Sequence, residues 1–456
     1  MSKTIQSINP ATEEVIATYE LAEEAAIERA LQQSDEAFQK WRRTPVQQRQ
    51  QCARGLAAVL RGKKGELARI ITSEMGKPIN EAEAEIEKCA WNCETYAEIG
   101  ADLLANKPAP SAASESYIQF LPLGPILAVM PWNFPFWQVF RFAAPALIAG
   151  NTAILKHASN VPGCSLSIAQ TFQEAGFPEG VFQSVLVRGS ATSRLISDRR
   201  IAAVTLTGSN LAGSQVAAAA GAAIKKTVLE LGGSDPFIVL ADADLDAAVT
   251  TGVKSRFQNT GQSCIAAKRF IVVEEVFSSF VERFVAAVAA LKTGQPMERD
   301  TQVGPLARKD LREGIEKQVA ESTALGARIL TGGHRLPGKG FFYAPTVLGE
   351  VTPAVPAACE EVFGPVAALI RARHEEQAIA LANHSPFGLG SSLWTRDLEK
   401  ARRLAREIEA GQVFINGMVA SDPRLPFGGI KESGYGRELS EFGIREFVNI
   451  QTVWIK

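Results

Sequence analysis

Histidine is scarce in this chain: there are four in 456 residues, and none lies near a cysteine at a spacing that would hold zinc. Cys89 and Cys93 share a helix face, but a metal centre there needs at least one more ligand, so no metal is expected. The same scarcity disfavours a cysteine hydrolase, because none of His157, His334, His374 or His384 stands in a motif that would partner a nucleophilic thiol. The six cysteines are scattered, which argues against a disulfide framework and fits a reducing cytoplasm. No stretch approaches the ~20 apolar residues needed to span a bilayer. Met1–Pro10 carries no apolar signal-peptide core. Nor is there a basic excess: 48 Lys and Arg stand against 49 Asp and Glu. Neither a membrane nor a nucleic acid is expected as a partner.

What is present is a soluble globular composition, 46% hydrophobic with 37 Gly and 23 Pro. The length exceeds what one ordinary core accommodates. Apolar residues at three- and four-residue spacing predict helices over Ala22–Trp41, Pro45–Arg61 and a long acidic run Ser73–Leu104. Lys107-Pro108-Ala109-Pro110-Ser111 breaks the pattern, and a strand-like region, Tyr117–Met130, follows with an interruption at Pro122 and Gly124-Pro125. Short β-rich runs then alternate with helices: Ile126–Met130, Thr152–Leu155, Val181–Val187, Ala203–Leu206 and Thr227–Leu231. A second set runs through Phe237–Leu240, Arg269–Val273, Ala327–Leu330, Val366–Arg371, Leu389–Trp394 and Val413–Asn416. Such alternation implies parallel strands with crossovers. The expected fold is α/β, with a Rossmann-like domain and a second α/β domain meeting near residue 233.

Four segments carry candidate chemistry. Cys264 follows Asn259-Thr260-Gly261-Gln262-Ser263, between a predicted helix (Leu245–Gln258) and a strand. A lone cysteine can simply be a small buried hydrophobe. On a Gly/Ser/Thr turn, backbone N–H groups can lower its pKa, and a thiolate adds readily to an aldehyde. Glu230, in Leu229-Glu230-Leu231-Gly232-Gly233, is either a surface carboxylate or a partly desolvated general base. Asn133, in Pro131-Trp132-Asn133-Phe134-Pro135, is either a helix cap or an amide donor to an oxyanion. Gly208-Ser209-Asn210-Leu211-Ala212-Gly213 follows a strand and opens a helix, as a phosphate-holding turn does, but it lacks the middle glycine of the dinucleotide fingerprint.

In order and spacing these pieces resemble the aldehyde dehydrogenase superfamily from Ile8-Asn9-Pro10-Ala11-Thr12 onward. The likeness continues through Leu155-Lys156, Glu360-Glu361-Val362-Phe363-Gly364-Pro365 and Pro426-Phe427-Gly428-Gly429. The resemblance implies Cys264 as nucleophile, Glu230 as the base that hydrolyses a thioester, and Asn133 as oxyanion donor. It implies an NAD or NADP site built from Trp132, Lys156, Ser159, Gly208, Ser209, Gly213, Leu231, Glu361 and Phe363. Ser159 stands where NAD-preferring relatives often carry Glu, so NADP should be tolerated. It implies residues 1–106 and 123–232 as the cofactor-binding domain, 233–435 as the catalytic domain, and 107–122 with 436–456 as a small β bridging element of a homodimer or homotetramer. Within the superfamily the likeness is to succinate-semialdehyde dehydrogenases. That implies a small carboxylated aldehyde as substrate, its far end held by Arg141 with help from Ser421. Gln258 departs from this pattern, since a second arginine often stands there. Two other classes remain open: a CoA-acylating aldehyde dehydrogenase, which has no need of Glu230, and a binding protein without catalysis.

Overall fold

The computed structural model describes residues 3–456. Four helices, Glu24–Trp41, Val46–Gly62, Lys64–Met75 and Ile79–Leu103, occupy the region expected to be helical. The long acidic run is broken rather than continuous. Gly76 takes a left-handed conformation (φ 81°) in which a Cβ would lie 2.7 Å from the ring of Pro305. Pro78 then sets the start of the next helix. A hairpin of Thr4–Ile8 and Val15–Glu20, which the sequence reading did not anticipate, precedes them.

The first large sheet orders its strands 434–435, 226–230, 203–207, 125–130, 152–157 and 182–184. All are parallel except the short Gly434–Tyr435. The chain starts at Pro125–Met130, adds strands on one side, then returns to place Ala203–Thr207 on the other. This reversal opens a crevice beyond the carboxyl ends of these strands. Register puts Met130, His157, Thr207 and Glu230 at that edge, so the loops after them converge there. The strand expected over Val181–Val187 is shorter, Phe182–Ser184.

The second sheet has seven strands in the order 328–331, 346–349, 366–372, 267–273, 235–239, 390–394 and 412–415, parallel apart from the first. Both sheets bury apolar runs against helices on their faces. A third sheet pairs Val448–Ile455 with Glu115–Pro122 along the whole of both strands, with Lys107–Pro108 beyond. Ile450, Trp454 and Ile455 are exposed on it. Among the described residues no helix is long and apolar enough to cross a membrane.

Candidate active site

Cys264 lies between the helix Leu245–Phe257 and the strand Ala267–Val273. The approach to it is unusual backbone: Asn259, Thr260 and Gly261 are all left-handed, with φ of 53°, 56° and 72°. Two of these carry a Cβ, so the conformation costs free energy and persists only because the surroundings hold it. Asn259 donates from Nδ2 to the carbonyls of Asn133 (2.8 Å) and Gln262 (3.0 Å), while its N–H donates to Glu81 Oε2 at 2.7 Å. Gln262 accepts from Ala307 N at 2.9 Å. The buried Arg256 donates to the carbonyls of Gly261 (2.8 Å) and Val362 (3.3 Å) and also reaches Gly364, tying this loop to the Glu360–Gly364 segment. Lys268 donates to Ser263 (2.9 Å), Cys264 (2.8 Å) and Ala266 (3.3 Å). The Cys264 loop is therefore cross-braced by two buried cations.

Burial pushes the Cys264 thiol up to about 12, against the opposing pull of the Arg141 and Lys268 charges. The expectation that turn N–H groups would lower it is outweighed here by desolvation. Asn133 is buried, and its Nδ2 donates to Gln262 O at 3.1 Å. One Nδ2 hydrogen of Asn133 and the Cys264 N–H, which has no acceptor among the described residues, remain as candidate oxyanion donors. The segment holding Asn133 is itself fixed: Glu85 accepts from the N–H groups of Phe136 (2.9 Å) and Trp137 (3.0 Å) at the start of the helix Trp137–Ile148. Lys77 pairs with Glu85 and sits 3.7 Å over the Phe134 ring.

Glu230 ends its strand at the crevice with 2% exposure, and neither carboxylate oxygen has a hydrogen-bond partner among the described residues. Burial holds its pKa well above the usual carboxylate range; the Arg141 charge pulls the other way and Glu438 adds to the rise. A desolvated carboxylate without donors is a stronger base than one in water. Gly233, three residues on, packs so closely on the Cys264 carbonyl that a Cβ would lie 2.7 Å from it.

The expected cofactor residues gather at the crevice. Ser209 caps the helix Asn210–Ala222, accepting from Ala212 N at 3.3 Å. Gly213 allows Leu231 to pack where a Cβ would stand, at 2.6 Å. Lys156 is 8% exposed, its pKa lowered by burial alone, so no acidic side chain competes for its charge. Ser159 lies exposed in the turn that follows. His157 accepts from Ala158 N through Nδ1 (2.8 Å), which leaves Nε2–H to donate to Pro135 O (2.9 Å). Burial lowers this imidazole to about 4, so it stays neutral and ties the Lys156 turn to the Asn133 segment. Glu361 accepts from Gly233 N at 3.0 Å and lies 3.9 Å from Lys268. Trp132 and Phe363 meet edge to face at 5.8 Å. A helix N-terminus, a lysine without an ion pair among the described residues and a carboxylate beside a double glycine fit a dinucleotide's phosphates and riboses.

A cavity of about 1000 Å³ opens on the other side of Cys264. Its walls include Arg141, Ser421, Phe427, Gln258 and Lys88. Arg141 is where the sequence places it, but its guanidinium is not free: it pairs with the buried Glu438, donates to Thr207 Oγ1 at 3.3 Å and stacks 4.3 Å over Phe427. Ser421 accepts from Lys88 Nζ at 2.7 Å. Sequence reasoning missed Lys88, Glu438, Arg256 and Lys268. The first had a readable signal, since Glu81, Glu85, Lys88 and Asn92 form a polar stripe at helical spacing beside the apolar face of the helix.

The sequence matches the aldehyde dehydrogenase family over residues 1–453. It is 53% identical to a probable NADP⁺ succinate-semialdehyde dehydrogenase of Synechocystis, over 99% of each chain. It is 52% identical to the NAD(P)⁺ succinate semialdehyde dehydrogenase Sad of Escherichia coli, over 98% of this chain and 97% of that one. Its structure is similar to that of a succinic semialdehyde dehydrogenase from Streptococcus pyogenes in complex with NADP⁺, with a TM-score of 0.97, 37% identity and 99% coverage of both chains.

Proposed function

The chain belongs to the aldehyde dehydrogenase family, and from that premise we propose that it oxidises succinate semialdehyde to succinate with NADP or NAD. The observation that carries the substrate assignment is a cationic wall, Arg141 and Lys88 beside Ser421, in the same cavity as Cys264. A distal carboxylate complements a cationic cavity wall, and a neutral aldehyde does not.

The Cys264 thiol gives its proton to water, the thiolate sulfur adds to the aldehyde carbon as the C=O π bond breaks, and the resulting oxyanion takes hydrogen bonds from the Cys264 N–H and Asn133 Nδ2. A nicotinamide dinucleotide, when bound, supplies the hydride acceptor; Trp132, Lys156, Ser159, Gly208, Ser209, Gly213, Leu231, Glu361 and Phe363 are the residues that would hold it. Loss of hydride leaves a thioester on Cys264. Glu230 takes a proton from water, the hydroxide adds to the thioester carbonyl, the C–S bond breaks and the acid departs. A buried carboxylate in this place favours water over CoA as acceptor.

Residues 1–106 and 123–232 serve as the cofactor domain, and 233–435 as the catalytic domain. The apolar edge strand Val448–Ile455 pairs with a second copy, giving a homodimer or homotetramer. Six unpaired cysteines fit work in the cytoplasm.

The test is reduced-nicotinamide absorbance with an aldehyde panel and both cofactors. Succinate semialdehyde should exceed butanal by about 100-fold in kcat/KM, and Cys264→Ala should bind cofactor yet lose turnover with every aldehyde. A ratio near one rejects the substrate assignment, and turnover by Cys264→Ala rejects the chemistry.

A further inference from the structure

The helix Ile79–Leu103 carries Glu81 and Glu85 one turn apart, and so on one face. Each carboxylate reaches a different arm of the site. Glu85 accepts from the N–H groups of Phe136 (2.9 Å) and Trp137 (3.0 Å), directly after the Asn133 segment. Glu81 Oε2 accepts from the Asn259 N–H at 2.7 Å, at the start of the turn that ends in Cys264. Asn259 is left-handed at φ 53°, as are Thr260 and Gly261 after it, and each is tied down separately. Glu81 takes the Asn259 N–H, Thr260 Oγ1 accepts from Gly304 N at 3.1 Å, and the Gly261 carbonyl accepts from Arg256 at 2.8 Å. Asn259 in turn reaches Asn133. Its Nδ2 donates to the Asn133 carbonyl at 2.8 Å and to Gln262 O at 3.0 Å, the same oxygen to which Asn133 Nδ2 donates at 3.1 Å.

We infer that Glu81 is a positioning residue: it fixes the Cys264 turn against the Asn133 segment, so that with Glu85 one helix face sets the spacing of the two oxyanion donors. The inference rests on the oxyanion role proposed above for Asn133 and the Cys264 N–H. Two donors stabilise an oxyanion only when both lie within hydrogen-bond distance of one point. These two come from segments far apart in sequence, and their spacing is held by what touches both. Side chains one helical turn apart keep a separation of about 5–6 Å between Cβ atoms, so the helix is a rigid spacer. Lys77 secures the Glu85 arm by pairing with that carboxylate and packing 3.7 Å over the Phe134 ring. On the other arm, withdrawal from water raises Glu81 to about 7, and the Asn259 N–H leads the groups that oppose the rise. The main charge effects on the Cys264 thiol come from Arg141, Lys268, Glu361 and Asp235, not from Glu81. The effect of Glu81 on the reaction is therefore geometric. It belongs to steps that form an oxyanion and not to reactions of the sulfur that form none.

The experiment compares two reactions of Cys264 in the full-length enzyme. One is the first-turnover reduction of cofactor by saturating succinate semialdehyde, which passes through an oxyanion. The other is alkylation by iodoacetamide, in which sulfur displaces iodide and no oxyanion forms. Glu81→Leu should slow the first turnover by roughly 30-fold and change alkylation by less than about threefold. Glu81→Gln keeps an acceptor oxygen in place and should recover most of the first-turnover rate. Glu81→Asp keeps the charge but withdraws the acceptor by one methylene; it should slow the first turnover by about tenfold, and it carries the test if Glu81→Leu does not fold. Asn133→Ala should slow the first turnover by roughly 100-fold. A wild-type rate in Asn133→Ala defeats the oxyanion reading and this inference with it. If Asn133→Ala is slow while Glu81→Leu and Glu81→Asp keep the wild-type rate, or if first turnover and alkylation fall together in the Glu81 variants, the positioning role of Glu81 is overturned and the oxyanion reading stands.

Discussion

Lys268 donates from its buried ammonium to the carbonyl oxygen of Cys264 at 2.8 Å, and the same ammonium holds the carbonyls of Ser263 and Ala266. One side chain thus closes the turn that presents Cys264, and its charge opposes the burial that raises the thiol's pKa. Lys268→Met leaves three carbonyls without their donor and should cost about 2–4 kcal/mol in unfolding free energy. Loss of stability alone would be a structural result. The positioning role predicts in addition that the pH profile of Cys264 alkylation by iodoacetamide moves upward, because a cation favouring the thiolate is gone. An unmoved profile would limit Lys268 to packing.

Glu230 has a pKa raised by burial, so the base is lost on acidification earlier than an ordinary carboxylate would be. Deacylation should fall as the pH drops through that raised pKa and be restored above it. Glu230→Gln should keep a pre-steady-state burst of reduced cofactor, lose most of the steady-state rate and lose this pH dependence. A thiol acceptor such as CoA should restore turnover in the variant. Steady-state rates equal to wild type would remove Glu230 from the deacylation step.

Ser159 lies exposed in the turn after Lys156, three residues beyond an ammonium with no acidic neighbour. Ser159→Glu introduces a carboxylate where a 2′-phosphate would approach, so kcat/KM for NADP should fall by more than about tenfold while that for NAD changes by less than about threefold. Equal losses for both cofactors would show that this turn does not face the ribose.

Much of this architecture is legible in the sequence because strand and crossover alternate with clear punctuation. Pro125–Met130, Thr152–His157, Ala203–Thr207 and Lys226–Glu230 all fall where apolar runs predict them. The hairpin strand Val15–Glu20 is not legible, since no residue in it is buried and its pattern gives no apolar face. The break at Gly76-Lys77-Pro78 hides because Pro at a helix start and Gly at a helix end leave the three- and four-residue apolar spacing intact. Cys264, Glu230 and Asn133 stand in short motifs that can be read along the chain. Arg256 and Lys268 are not, because a charge inside an apolar stretch acquires its meaning only when carbonyls from distant loops converge on it. Arg141 lines the cavity, but its partner Glu438 lies nearly 300 residues away in sequence and no local pattern links them.

That pairing makes Arg141 a different kind of residue from a plain substrate anchor, and the difference is measurable. Its guanidinium is 2% exposed, balances Glu438 and lowers the pKa of both Glu230 and Glu438. Arg141→Met removes a cation that acts on both buried carboxylates. Breaking a buried pair from one side should cost about 3–5 kcal/mol of stability. It should also shift the deacylation profile to higher pH, because Glu230 loses the charge that opposed its protonation. Both effects act on every aldehyde, so succinate semialdehyde and butanal should decline together and their ratio should change by less than about threefold. The double variant Arg141→Met with Glu438→Gln removes the stranded charge and should regain much of the stability and return the profile toward wild type. Unfolding curves, the pH dependence of steady-state turnover and the two-aldehyde ratio together decide the matter. If Arg141→Met instead abolishes the preference for succinate semialdehyde while butanal turnover and the pH profile hold, Arg141 itself grips the carboxylate and the pair with Glu438 opens when substrate binds.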